Sequence, residues 1–380
     1  MKLLLLGFGN FGTQFFDVLL LSSRYWFPSF HVMVAGRRLE YIQQRTQLAI
    51  CAAHQLGLSP EVSYAMLDLW NEEQIATLLW SFQPDVIFTT ATMLPSSAIT
   101  RLPSPLAERL KTAGAGPWLP WSLVLQYKLM RAVQQTGLHP LVLIGASPDN
   151  APAVLAKGGL TPTTGVGNAG NLVPALRRAA AAQLHLSAEQ LEIYFVGHNH
   201  VVHRLRTLGT PGDAPYHLSV RVDAQDVTPR LNQAALFQQI PSMVREYTQI
   251  LSASSAVAVL ENLWKKQGHL FHAPGANGLP GAYPLRATAN GVEVVLPPGL
   301  SLQEAIRLNV EGQKRDGIER IEQDGTIWFS ADRMQPLTEV LGYQCRRLPL
   351  TELEGRAQEL YQRFCQVTEK DGKSAEGAKE

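Results

Sequence analysis

The chain has 380 residues, more than one small core needs, and at roughly 150 residues per domain suggests two or three units. Its composition, 46% hydrophobic and 17% charged, excludes wholesale disorder, and 33 Lys+Arg against 32 Asp+Glu argues against a dedicated nucleic-acid binder. Three scattered cysteines (Cys51, Cys345, Cys365) form no CxxC pair, which argues against a disulfide framework or a thiolate zinc site.

The elements read in order as alternating strands and helices. Lys2 to Leu6 is a continuous apolar run that stops at Gly7, with no longer apolar core or cleavage site after it. It therefore reads as a buried strand and not as a signal peptide. No run reaches the ~18 to 20 apolar residues of a membrane helix, so the chain is read as cytoplasmic, with no membrane partner. Phe15 to Leu21 is helix-like, His31 to Ala35 a second strand, Leu39 to Leu56 a helix and Val62 to Leu67 a third strand. Asn71 can cap a helix over Glu72 to Phe82, whose two leading glutamates suit the helix dipole. Pro84 ends it, Asp85 to Thr89 is the fourth strand, Trp121 to Thr136 a helix and Leu141 to Gly145 the fifth strand. Five such alternations predict an α/β fold with a Rossmann doubly wound parallel sheet, because parallel strands need crossover connections.

Gly7-Phe8-Gly9-Asn10-Phe11-Gly12 lies directly after the first strand and opens the first helix, the context that gives GxGxxG its meaning. Gly7 would make the tight turn, Gly9 would admit a pyrophosphate and Gly12 would let helix and strand pack closely. Asn10 and Phe11 complete the loop; Thr90 and Ala91, after the fourth strand, are assigned to the same cofactor site. At the end of the second strand stands Ala35-Gly36-Arg37-Arg38, with no acid before Glu40. Two guanidiniums there favour the 2′-phosphate of NADP over the bare ribose of NAD, which remains possible. The stretches LLLLGFGNFG, VMVAGRR, LDLWNEEQIATLL and PDVIF resemble the NADP-binding domain of saccharopine-dehydrogenase-like reductases over about the first 95 residues. That resemblance implies that Asp68 sits beside the adenine.

The second half carries candidate chemistry. Ala146-Ser147-Pro148-Asp149-Asn150 follows the fifth strand; Asn171 to Leu184 reads as a helix and Glu192 to Val196 as a strand running into Gly197-His198-Asn199-His200. This order resembles the C-terminal domain of the lactate/malate dehydrogenases and of their relatives, the NAD-dependent family 4 glycosidases. The resemblance, over about residues 140 to 310, implies an α+β second domain. It places Asn150 at an Asn-Pro-type turn, Arg177 or Arg178 at the helix arginine and the GHNH stretch at a histidine turn. The chain also departs from both groups. Asn171 to Arg178 has no acid to pair with the histidine, and Gly167-Asn168-Ala169 has no cysteine for a metal.

Taken alone, His198 and His200 would point the same way on a strand, with His203 free to join them. HxHxxH resembles no structural zinc module, and no metal is assigned. His200 is the first candidate for proton transfer and His198 the second, with Asn150 and Asn168 as hydrogen-bonding positioners and Arg177 as an anion clamp. An unperturbed histidine would titrate at ~6 to 7.5.

Small residues in the helix expected over Tyr247 to Trp264 suit a core contact or a dimer seam, and a homodimer is expected. The segment 312–332, with its two Asp-Gly turns, reads as a hairpin closing the second domain. The expected organisation is a dinucleotide-binding domain at 1–147, a substrate and dimerisation domain at 148–346, a C-terminal helix at 347–369 and a flexible tail at 370–380.

The leading reading is an NADP(H)-dependent oxidoreductase acting on a small polar carbonyl, imine or hydroxy acid. A family 4 glycosidase-like hydrolase and a non-catalytic NADP-binding sensor or assembly protein stay open beside it. Replacing both Arg37 and Arg38 with Ala is expected to weaken NADPH binding far more than NADH binding. Equal loss in a binding titration would show that the pair does not read the 2′-phosphate.

Overall fold

The computed structural model describes residues 1–26, 30–95, 97–244, 248–266 and 268–376. The first half runs β1 (Lys2–Leu6), α1 (Asn10–Trp26), β2 (His31–Gly36), α2 (Leu39–Gln55), β3 (Glu61–Met66), α3 (Glu72–Phe82) and β4 (Val86–Thr89). Two short helices, α4 (Ser97–Thr100) and α5 (Ser104–Lys111), precede α6 (Pro120–Thr136) and β5 (Leu141–Ile144). Then come α7 (Ala151–Lys157), β6 (Thr164–Gly165), α8 (Ala169–Leu184), β7 (Glu192–Val196) and α9 (Asn199–Leu208). The chain continues through β8 (His217–Val222), β9 (Gln225–Asp226), α10 (Gln233–Val244), α11 (Thr248–Lys265) and the strands β10 (Phe271–Pro274), β11 (Ala282–Thr288) and β12 (Gly291–Val294). It closes with α12 (Leu302–Arg315), β13 (Ile318–Ile321), β14 (Ile327–Phe329), α13 (Ala331–Leu341), β15 (Arg347–Leu348) and α14 (Leu353–Glu376).

Six parallel strands form the main sheet in the order β3-β2-β1-β4-β5-β6. Leu3 to Leu6 are wholly buried and split between two cores by the two-residue period of a strand. Leu4 and Leu6 join α3, α6, α7, α13 and α14; Leu3 and Leu5 face α1, α11 and the antiparallel sheet β10-β11-β12. A third core lies between α8, α9, α10 and the strands β7 and β8.

Local chemistry explains the boundaries. The Asn71 side chain accepts the Gln74 N–H at 3.0 Å, and Gln83 closes α3 with φ 54° just before Pro84. α1 starts inside the glycine motif, earlier than the apolar run at Phe15 suggests, because Thr13 N–H bonds the Gly9 carbonyl at 2.9 Å.

The hairpin expected at 312–332 forms as β13 and β14, but it does not close the second half. Ile318, Ile321, Ile327 and Phe329 are buried in the core that contains α3 and α6. The C-terminal helix starts at Leu353 and continues to Glu376, past residue 370 where a tail was expected; residues 377–380 lie outside the described part. The helix expected from Tyr247 is α11, and Tyr247 itself lies outside the described residues. Its small residues Ala253 and Ala256 are fully buried in the core shared with Phe15, Phe16 and Leu19 of α1, so this chain itself covers that face. Among the described residues no helix is long and apolar enough to cross a membrane.

A Cβ on Gly12 would stand 2.2 Å from the Gly7 carbonyl oxygen, so the loop and α1 close only with glycine there. Gly12→Ala is expected to lower stability by about 1–3 kcal/mol, the usual scale of overpacking. A thermal midpoint equal to the wild type would show that the loop can open without cost.

Candidate active site

A cleft of about 1980 Å³ follows the carboxyl ends of the parallel strands. It includes the switch point between β1 and β4, where the strand order reverses and where ligands of open α/β sheets bind. Gly7, Phe8, Gly9, Asn10 and Phe11 form one wall, with Thr90 and Ala91 beside them. Gly7 has φ +88°, and a Cβ there would lie 2.8 Å from the Ala91 nitrogen, so only glycine fits. The Thr90 hydroxyl donates to the Gly7 carbonyl at 2.9 Å and pins the loop to the end of β4. Among the described residues no atom beyond its chain neighbours lies within 4 Å of where a Cβ on Gly9 would stand, which leaves that stretch of backbone open to a ligand. Gly12 does not line the cleft; its part is the close packing of α1.

Arg37 and Arg38 are exposed at the end of β2 and line the same cleft, with Asp68 after β3. Among the described residues neither arginine makes an ion pair, and the Arg38 guanidinium lies 4.5 Å from the centre of the Tyr41 ring. Asp68 accepts the Trp70 N–H at 3.1 Å, which holds its carboxylate in the β3–α3 turn.

The other end of the cleft is built around the start of α9. The strand expected at Glu192 to Val196 forms as β7, but His198 and His200 do not share a strand face: α9 begins at Asn199, with His198 as its N-cap. His198 Nδ1 accepts the His200 N–H at 3.2 Å. That leaves the proton on Nε2, which donates to Asn150 Oδ1 at 2.9 Å. The ring is completely buried, and burial pushes its pKa down to about 3. The Asn150 amide in turn points to Asp316 Oδ2 at 3.5 Å, while Asp316 Oδ1 accepts the Ala115 N–H at 3.1 Å. A Cβ on Gly312 would lie 2.4 Å from His198 Cβ, so α12 approaches this close only through glycine.

A second buried acid holds the helix start. Asp149 Oδ1 accepts the Asn199 N–H at 2.9 Å, and the Asn168 amide donates to its other oxygen. Burial raises Asp149 to about 7 and Asp316 to about 6, against the opposing effect of these hydrogen bonds. Asn168 lines the cleft with φ 48° and ψ −104°, a strained conformation for a residue with a side chain.

His200 is half-buried on the cleft wall, in the first turn of α9. Burial and the guanidiniums of Arg204, Arg333 and Arg315 hold its imidazole below the usual 6.5. All three arginines line the cleft. Arg315 is partly engaged by Asp213 at 3.1 Å, and Arg333 donates to the Thr112 carbonyl at 2.7 Å.

The sequence-predicted residues therefore separate. Gly7, Gly9, Asn10, Phe11, Arg37, Arg38, Asp68, Thr90, Ala91, Asn168 and His200 line one cleft. His198 and Asn150 are corrected to supporting positions, because both are buried behind the wall and spend their polar atoms on each other, on His200 N–H and on Asp316. Arg177 is corrected as well. It is not among the residues that line the cleft and has Glu189 and His272 as its charged and polar neighbours, while Arg204, Arg315 and Arg333 line the cleft. The three histidines do not share one space: His198 is interior, while His200 and His203, one turn apart on α9, both line the cleft.

Sequence reasoning missed Asp149, Asp316 and the three arginines. Asp149 had a signal in its adjacency to Asn150. Asp316-Gly317 read only as a turn, since 166 residues separate Asp316 from its partner Asn150.

This arrangement lies on a known architecture. The structure aligns with malate dehydrogenase from Plasmodium falciparum at a TM-score of 0.55 and 13% identity, covering 96% of this chain and 99% of that one. It aligns with lactate dehydrogenase from Eimeria maxima, solved with NADH and oxamate, at 0.54 and 15%, covering 82% and 91%. A lactate dehydrogenase from a Medee basin deep-sea metagenome library gives 0.54 and 12%, covering 83% and 96%. The chain has the fold of the lactate and malate dehydrogenases. At the level of sequence, no family model and no curated protein matches it. On this dehydrogenase fold, the carboxylates near the histidine turn come from the β5–α7 turn and the end of α12, not from the helix α8 that precedes it.

The two kinds of buried group make opposite contributions to stability as pH changes. Asp149 rises from 3.8 to about 7 on folding, so the folded state holds the extra proton and loses stability as pH climbs from about 4 to 7. His198 falls from 6.5 to about 3, so its contribution grows as pH climbs from about 3 to 6.5. Asp149→Asn removes only the first trend. Its stability relative to wild type is expected to increase between pH 4 and 7 by up to a few kcal/mol and then level off. A difference that stays flat in thermal melts across that range would show that Asp149 is not shifted.

Proposed function

We propose that this protein is an NADP(H)-dependent oxidoreductase of small anionic hydroxy or carbonyl acids, with His200 as the proton-transfer residue. The observation that carries the reading is the continuity of a single cleft, from the glycine loop and the Arg37–Arg38 pair to His200 and its three arginines. The residues present fit a dinucleotide: Gly7 and Gly12 occupy places that a Cβ would fill, and the open backbone at Gly9 leads into the N-terminus of α1. Arg37 and Arg38, exposed and without an acid, suit the 2′-phosphate, which favours NADP(H) over NAD(H). The finer likeness of the first 95 residues to saccharopine-dehydrogenase-like reductases supports the same choice.

Bound in this cleft, NADP(H) would donate or accept a hydride at its nicotinamide. The chain's own groups divide the remaining work. Arg204, Arg315 and Arg333 supply positive charge for an anionic group of the substrate. His200, neutral at pH 7, accepts the hydroxyl proton in the oxidative direction and returns it, once protonated, in the reductive one. His198 and Asn150 act behind it, fixing the first turn of α9 through the His200 N–H. Asn168, on the strained turn before α8, offers its side chain to the same space.

His200→Ala leaves the His200 N–H and its bond to His198 in place, so α9 is expected to stay folded. Turnover of a 2-hydroxy or 2-oxo acid panel should fall by ~10²- to 10⁴-fold with NADPH affinity nearly unchanged. In the oxidative direction the wild-type rate should fall as pH drops through the His200 pKa, at a value below 6.5 and not in the 6 to 7.5 range of a free histidine. Full turnover in the variant would remove His200 from the chemistry.

A further inference from the structure

The C-terminal helix contributes to the cleft from outside the sheet. In the first turn of α14, Glu354 pairs with Lys128 of α6 at 2.8 Å, and Lys128 also reaches Glu72 at the start of α3, at 3.6 Å. Roughly 15 Å further along the helix, the Phe364 ring packs edge-on against Trp121 and Trp118, at 5.2 and 6.2 Å. Leu353, Ala357, Leu360 and Phe364 are buried along this seam, so the helix is anchored at both ends of the stretch between them.

Tyr361 lies within that anchored stretch. It is 37% exposed and belongs to the wall of the cleft that includes Arg37, Arg38 and Asp68. Its phenol lies beside the Cys365 thiol and within the electrostatic reach of Arg37, which places it near the end of β2. An aromatic ring on a rigid support, partly open on the cleft wall that includes Arg37 and Arg38, is suited to the face of a base.

We propose that Tyr361 is a cofactor-binding residue whose ring packs on the adenine of NADP(H), so that α14 forms a further wall of the dinucleotide site. The proposal rests on the dinucleotide reading above and adds to it a residue that lies 290 positions beyond the β3–α3 turn. Removing an aromatic stacking partner from a base costs ~1–3 kcal/mol, which corresponds to a ~5- to 150-fold loss of affinity.

The test is calorimetric titration of the full chain with NADPH, adenosine 2′,5′-bisphosphate and nicotinamide mononucleotide. Tyr361→Ala and Tyr361→Leu are expected to weaken NADPH and adenosine 2′,5′-bisphosphate by the same factor, within ~5- to 150-fold, and to leave nicotinamide mononucleotide unchanged. Tyr361→Phe should stay within about twofold of wild type, because it keeps the ring. The leucine variant, which retains bulk against the helix, carries the test if the alanine variant fails to fold. Wild-type affinity for adenosine 2′,5′-bisphosphate in the leucine variant overturns the proposal. So does a loss in the phenylalanine variant as large as in the leucine one, since the hydroxyl and not the ring would then bind. A wild-type protein that binds neither NADPH nor the bisphosphate overturns the dinucleotide reading itself, before any variant of Tyr361 is made.

Discussion

The α9 end of the cleft depends on how the first turn of that helix is held. The N–H groups that begin a helix have no partner within it and need one from elsewhere. Here Asp149 takes the Asn199 N–H and His198 takes the His200 N–H, both from buried positions. Burial of ionised groups is costly, and all three titratable members of the cluster move towards their neutral forms: Asp149 to about 7, Asp316 to about 6 and His198 to about 3. At pH 7 the His198 ring is neutral, Asp149 stands near its midpoint and Asp316 is mostly ionised, so the interior keeps some negative charge behind a rim that carries the guanidiniums of Arg204, Arg315 and Arg333.

The same cluster ties together distant parts of the chain. Asn150 follows β5, His198 follows β7 and Asp316 closes α12, yet they are linked in one hydrogen-bonded series. The Asp316 carbonyl also accepts the Gly116 N–H at 2.8 Å, and a Cβ on Gly116 would come within 2.6 Å of that oxygen. The loop before α6 and the turn after α12 thus meet backbone to backbone. From that turn onward the chain packs on the first half, with β13, β14, α13 and α14 sharing a core with α3 and α6. The cleft is consequently walled by the sheet, by α9 and α12, and by the C-terminal helix.

Much of this was legible in the residues. The apolar run of β1, the glycines that follow it, the Asn71 cap and the Arg37–Arg38 pair are local signals, and each stands where its spacing placed it. His200 was singled out because it follows a clear strand end, and it lines the cleft. The direction of His198 was not legible, because the backbone turns helical at Asn199 and carries the two rings apart. Arg177 looked like a clamp on a helix of the right order, but the local sequence does not say which way such a helix is rotated.

By itself, then, the sequence determined the elements and the parallel-sheet half with its glycine loop, because hydrophobic period, caps and glycine turns act between residues a few positions apart. Only the tertiary structure decided which charged groups share the cleft. Asp316 reaches Asn150 across 166 residues, and Arg333 and Tyr361 arrive on elements that pack back against the opening sheet. Those contacts follow from the burial of apolar faces on α13 and α14, and no short-range pattern in the chain records where such a face will dock.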